Sequence, residues 1–183
     1  MKSKKLLVLF PGKRYSCDLP LLYFAECVYR DAGYDILRLS YPEIEFEGNP
    51  GKEVYEEIQK SVLAQAKKAK LDSYEEAVFI SKSMGTVAAG WLETKTKTKV
   101  RQIYLTPLAE TLPYMKGKKN IPAVVQGTAD KWLDPKVLDA FCREEGLRLV
   151  RFRDVGHRLE AKGDIQKSIR NFAKVAALYQ EDA

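Results

Sequence analysis

Short apolar runs and amphipathic stretches alternate from one end of the chain to the other. The runs Lys5–Phe10, Asp35–Ser40, Ala77–Ser81, Val100–Thr106, Ala123–Gln126 and Leu147–Phe152 are bounded by turn-forming residues. Runs this short, apolar at successive rather than alternate positions, predict strands buried on both faces, as in a parallel sheet. Between them the apolar positions return at helical spacing. Leu21, Leu22, Ala25, Val28, Tyr29 and Ala32 share one face of a predicted helix, which Gly33 stops. Val54, Ile58, Val62, Ala66 and Ala69 line a second helix, whose lysine-rich end suits the negative pole of the helix dipole. Ile165, Ile169, Phe172, Ala176 and Tyr179 step by 4, 3, 4 and 3, so the last helix is expected to turn that face to the core.

Six strands with interposed helices imply an α/β three-layer sandwich: an open, mostly parallel sheet covered on both faces. The sequence contains no internal repeat, low-complexity stretch or linker, so residues 1–183 read as one domain. A chain of this length can bury about 70% of its surface without a disulfide or metal staple. The polar, Pro- and Gly-punctuated stretch from Pro42 to Gly51 is expected to cross a sheet end, and nothing between Thr106 and Ile121 is long enough for a separate lid domain. In such sheets, sites form at the carboxyl ends of the strands.

Composition narrows the picture modestly. Hydrophobic residues make up 45% and charged residues 31%, a globular mix that excludes disorder, collagen and coiled coil. No apolar run approaches the roughly 20 residues of a membrane span. The basic start followed by Leu6–Phe10 imitates an export signal, but its apolar run is too short and no cleavage site follows, so it reads as the first strand. Three cysteines without a CxxC pair, and a single histidine, argue against a zinc site. Free thiols and no export signal point to a reducing, cytoplasmic setting. The net charge of +6 is spread as scattered lysine and arginine rather than gathered into a tail.

The chemistry sits at three strand ends. The third strand runs into Ser81–Lys82–Ser83–Met84–Gly85 and then a helix beginning near Thr86. A strand, a serine flanked two residues away on each side by small residues, and a helix form the context of a nucleophile elbow. The turn is so tight that those flanking residues must be small, and the helix aims its first N–H groups at the same place. A serine that merely caps the helix fits the pentapeptide equally well. The fifth strand ends in Gln126–Gly127–Thr128–Ala129–Asp130, and the sixth leads through Asp154–Val155–Gly156 to His157, the only histidine. The order Ser83, Asp130, His157, each at a strand end, points to a Ser-His-Asp triad. Asp134 precedes Pro135 and reads as a helix N-cap, and Asp154 is the other rival acid.

With these motifs, nearly the whole chain resembles a small, lid-less member of the α/β-hydrolase superfamily, similar to compact serine esterases and dienelactone-hydrolase-like proteins. The resemblance implies that the first two strands of the usual eight are missing and that the six present are ordered 2-1-3-4-5-6, with the switch point beside Ser83. It also favours Asp130 over Asp154 as the acid. The developing oxyanion needs two backbone N–H donors. Met84, directly after the nucleophile, is one. The loop after the first strand should give the other, and there Lys13 is the closest match, although Pro11 stands where the family often has histidine.

Lys82, Arg14, Lys131 and Arg158 neighbour these motifs and could steer an anionic substrate, or be solvated surface cations. Trp132, Leu133, Tyr15 and Tyr114 could wall a pocket or pack the core. Cys17 reads as a buried, inert thiol. No phosphate-loop, dinucleotide-binding or nucleic-acid signature is present. The expectation is therefore a serine hydrolase, carboxylesterase or thioesterase, on a small-molecule acyl substrate, with no metal, cofactor, nucleic acid or membrane partner. Lactonase, peptidase and acyltransferase chemistry share the same machinery. The alternative is a weakly active or non-catalytic binding protein on a hydrolase fold, which Ser81 and Pro11 favour. A third reading, a basic nucleic-acid-associated protein, requires one contiguous positive face.

Overall fold

A computed structural model describes residues 4–41 and 51–183. Its strands are β1 (Lys5–Phe10), β2 (Asp35–Arg38), β3 (Glu76–Lys82), β4 (Lys99–Leu105), β5 (Ala123–Gly127) and β6 (Leu149–Phe152). The helices are α1 (Pro20–Asp31), α2 (Lys52–Lys68), α3 (Met84–Glu93), the single turn α4 (Leu112–Met115), α5 (Pro135–Glu145) and α6 (Ile165–Asp182). The strands form one sheet in the order β2-β1-β3-β4-β5-β6, with every pairing parallel. The order reverses between β1 and β3. There the loops leave the sheet in opposite directions and open a crevice at the carboxyl ends.

Alternate strand residues feed two cores. Leu7, Leu9, Val78, Ile80, Ile103 and Leu105 pack with Leu21, Leu22, Ala25 and Tyr29 of α1 and Phe172, Val175 and Tyr179 of α6. Leu6, Val8, Phe10, Ala77 and Phe79 pack with Ile58 and Val62 of α2 and Val87, Ala88 and Leu92 of α3. Tyr104 and Val124 continue that layer over Leu138 and Cys142 of α5. Both faces are covered, which is why β1, β3 and β5 are apolar at successive positions. Among the described residues, no helix is long and apolar enough to cross a membrane.

Two sequence expectations need adjustment, and a third falls outside the described residues. The stretch expected to cross a sheet end falls almost entirely on residues 42–50, outside the described residues. β6 begins at Leu149 because Gly146 (φ 67°) ends α5 and the Leu147 N–H closes that end on the Cys142 carbonyl at 2.8 Å. The buried face of α6 is also rotated from the expected one: Ile165 and Ile169 are 67% and 51% exposed, while Ser168, Asn171, Phe172, Val175, Leu178 and Tyr179 face inward. Two polar residues occupy that face because the loop before α6 gives them carbonyl partners. Asn171 Nδ2 donates to the Leu159 carbonyl at 2.9 Å and Ser168 Oγ to that of Asp164 at 3.1 Å.

Candidate active site

The turn at Ser83 is built by close packing at the switch point. Ser83 joins β3 to α3 with φ 55° and ψ −124°, a conformation costly for any residue carrying a Cβ. Its N–H donates to the Leu105 carbonyl at 3.0 Å, and its own carbonyl accepts from Thr86 N–H at 2.8 Å and Thr86 Oγ1 at 2.5 Å. A Cβ on Gly85 would stand 2.4 Å from the Pro11 carbonyl oxygen, so only glycine fits there. Ser81, on the other side of the nucleophile, is buried against β4 with its hydroxyl 3.5 Å from the Ile103 carbonyl. Glycine is therefore required two residues after Ser83 and dispensable two residues before it.

Asp130 and His157 lie on two loops locked together. A Cβ on Gly127 would reach 2.2 Å from the Val155 carbonyl oxygen, which bonds the Ala129 N–H at 2.9 Å. Thr128 Oγ1 accepts the N–H of Asp154, whose φ is 58°. The Asp130 carboxylate is fully buried; Oδ1 accepts the Trp132 N–H at 2.9 Å and Oδ2 lies 2.8 Å from His157 Nδ1. His157 Nε2 is 2.7 Å from Ser83 Oγ. Ser83, His157 and Asp130 are thus joined by two hydrogen bonds, the geometry of a nucleophile, a base and an orienting acid. Burial pulls the imidazole below its usual pKa, the hydrogen bond to Asp130 opposes this, and the positive charge of Lys82 adds to the lowering.

The rival acids are accounted for elsewhere. Asp134 caps α5 by accepting the Lys136 N–H at 2.8 Å. Asp154 is exposed, and its backbone is bound to Thr128. On the oxyanion side, Gly12 and Tyr15 exchange backbone hydrogen bonds of 3.0 and 3.2 Å, which places Lys13 and Arg14 at the tip of a tight turn. That turn abuts Ser83: a Cβ on Gly12 would be 3.0 Å from Ser83 Cβ. Met84 is the first residue of α3, where a backbone N–H has no intrahelical acceptor.

An open cleft of about 1090 Å³ runs from His157 towards the start of α6, lined among others by Arg14, Tyr15, Trp132, Arg158, Ile165 and Phe172. Trp132 is 50% exposed with its ring centroid 6.1 Å from that of His157. Arg158 stacks on Tyr15 (5.2 Å) and bonds Glu160 at 2.9 Å, so part of its charge is already matched. Lys131 is exposed and is not part of the cleft wall, and Leu133 is buried in the core beside α5. Tyr114 packs against α3, where a Cβ on Gly90 would meet it at 2.5 Å. Cys17 points between the Leu9 and Leu39 carbonyls, and burial pushes its thiol up to about 11.

Lys82 departs most from expectation. It borders the cleft yet is 1% exposed, with its ammonium bonded to Thr106 Oγ1 and to the His157 carbonyl. Sequence reasoning also missed Thr106, Ser168 and Asn171, which brace the site loops. The signal available for the last two was polarity at helical spacing, 168 and 171, on the face next to Phe172.

The chain matches no protein-family model and no curated protein sequence. Solved structures do resemble it. Est1E from Butyrivibrio proteoclasticus, solved with ferulic acid bound, superposes with a TM-score of 0.69 at 14% identity, over 99% of this chain and 88% of that one. A serine hydrolase without lid from Xanthomonas campestris gives 0.67 at 16% identity, over 97% and 79%. An α/β serine hydrolase homologue from Coxiella burnetii gives 0.66 at 14%, over 99% and 85%. The fold is thus that of an α/β hydrolase, in the six-stranded form with the order 2-1-3-4-5-6.

Proposed function

We propose that the protein is a serine hydrolase that cleaves a small ester or thioester through an acyl-enzyme on Ser83. The hydrogen-bonded chain from Ser83 Oγ through His157 to Asp130 carries this reading. His157 Nε2 takes the proton of Ser83 Oγ as that oxygen attacks the carbonyl carbon, and Asp130 holds Nδ1–H so that Nε2 is the accepting nitrogen. The carbonyl π pair moves onto oxygen, where the backbone N–H groups of Met84 and Lys13 are the proposed donors. Collapse expels the alkoxide or thiolate, which leaves with the proton from Nε2. Water then attacks the acyl-enzyme by the same route and frees the acid.

Arg14 and Trp132 border the cleft beside His157 and are the proposed contacts for the acyl group. The ferulic acid held by Est1E is an aromatic acid, and the half-exposed indole is a flat apolar wall that suits such a group. Three free cysteines fit a reducing, cytoplasmic setting. Turnover of p-nitrophenyl acetate and of an acetyl thioester tests the proposal. Ser83→Ala and His157→Ala should each lower kcat by about 10⁴-fold or more. Wild-type protein that turns over neither substrate class, or a Ser83→Ala variant as active as wild type, would refute it.

A further inference from the structure

Lys82 ends β3, one residue before Ser83, and is 1% exposed. A buried ammonium costs free energy unless polar partners replace water, and an alkyl side chain would fill the same space without that cost. The partners come from three separate segments. Thr106, directly after β4, accepts through Oγ1, and His157, after β6, accepts through its carbonyl oxygen at 2.8 Å. The ring of Tyr15, in the turn after β1, has its centroid 5.3 Å from the ammonium. The Lys82 backbone itself is fixed in β3, in register with Leu105.

We propose that Lys82 is a positioning residue for the imidazole: its buried ammonium clamps the histidine-bearing loop to the sheet and sets a positive charge behind His157. The inference rests on the serine-hydrolase reading of Ser83 and His157 and deepens it. The charged groups acting on His157 are Asp130, from the loop after β5, and Lys82, from β3. Those acting on Lys82 are Asp130, Arg158 and Glu160, the last two paired with each other. Asp130 favours the imidazolium and Lys82 opposes it, so the imidazole stays neutral, and able to accept the Ser83 proton, to lower pH. Burial brings Lys82 down to about 7, so it carries its charge across the acid range in which His157 titrates.

His157 is the only histidine, so ¹⁵N NMR of its ring follows one titration without ambiguity. The test compares wild type with Lys82→Met, which removes donor and charge, and Lys82→Gln, which keeps a donor and removes the charge. Both should raise the His157 pKa by about half a unit to one unit, as expected for losing a nearby, partly screened charge. The acid limb of kcat/KM should move with it. Lys82→Met should lower kcat about tenfold with KM little changed, and Lys82→Gln less, because the clamp is retained. A merely structural lysine would lower thermal stability and leave the histidine titration where it is; that result in either folded variant overturns the proposal. If neither variant folds, wild type decides: the His157 nitrogen shifts should show a second, smaller inflection near pH 7, and its absence overturns the proposal. The titration needs no substrate. An unmoved pKa in an active enzyme refutes the role of Lys82 alone, whereas a moved pKa in a protein without turnover refutes the hydrolase reading alone.

Discussion

Ser83 holds a backbone conformation that costs on the order of 1–3 kcal/mol, and its neighbours keep it there. The Leu105 carbonyl accepts its N–H, Thr86 donates to its carbonyl, and Pro11 leaves no room for a side chain at Gly85. The same crowding aims Oγ at His157. In the proposed mechanism, protonation of that imidazole switches off the base. Because burial and Lys82 pull the His157 pKa below the ordinary value of 6.5, the acid limb of kcat/KM is expected below pH 6.5. A limb above that value in a pH–rate profile would show that Asp130 outweighs desolvation. That Ser83, Asp130 and His157 converge was legible in the sequence, because elbow spacing and strand-end placement are local signals. The fate of Lys82 was not, since its partners lie on segments 24 and 75 residues away.

The helices show where periodicity suffices and where it does not. α1 and α2 bury the faces their apolar spacing marks, with Leu21, Leu22, Ala25 and Tyr29 in one and Ile58, Val62 and Ala66 in the other. In α6, hydrogen bonds from Ser168 and Asn171 to the preceding loop hold those polar residues inward and leave Ile165 and Ile169 exposed. Phe172→Ala should then cost about 3–5 kcal/mol in urea unfolding, as for a buried aromatic ring. Ile169→Lys should change stability by no more than about 0.5 kcal/mol. Equal losses at both positions would restore the face read from the sequence.

At the scale of the whole molecule, the parallel order places every catalytic candidate on one edge of the sheet, because loops after β3, β5 and β6 all leave from their carboxyl ends. That edge holds two basic groups whose folded pKa is depressed, which ties stability to pH. Below 6.5 for His157, and from about 7 to 10.5 for Lys82, the unfolded chain binds protons that the native state resists. Stability from these groups therefore rises with pH through both windows and falls as pH drops. Urea midpoints should climb between pH 7 and 10 in wild type and climb less in Lys82→Met over the same range; parallel curves would contradict the burial of a titrating ammonium.

The central claim is an activated Ser83, and covalent labelling reads it without knowledge of the substrate. Folded protein is incubated with a fluorophosphonate, and its intact mass is measured beside Ser83→Ala and His157→Ala. A single adduct on wild type, absent from the serine variant and slow to form on the histidine variant, is the expected result. Folded wild-type protein that takes no adduct, or a Ser83→Ala variant labelled as readily as wild type, would contradict it.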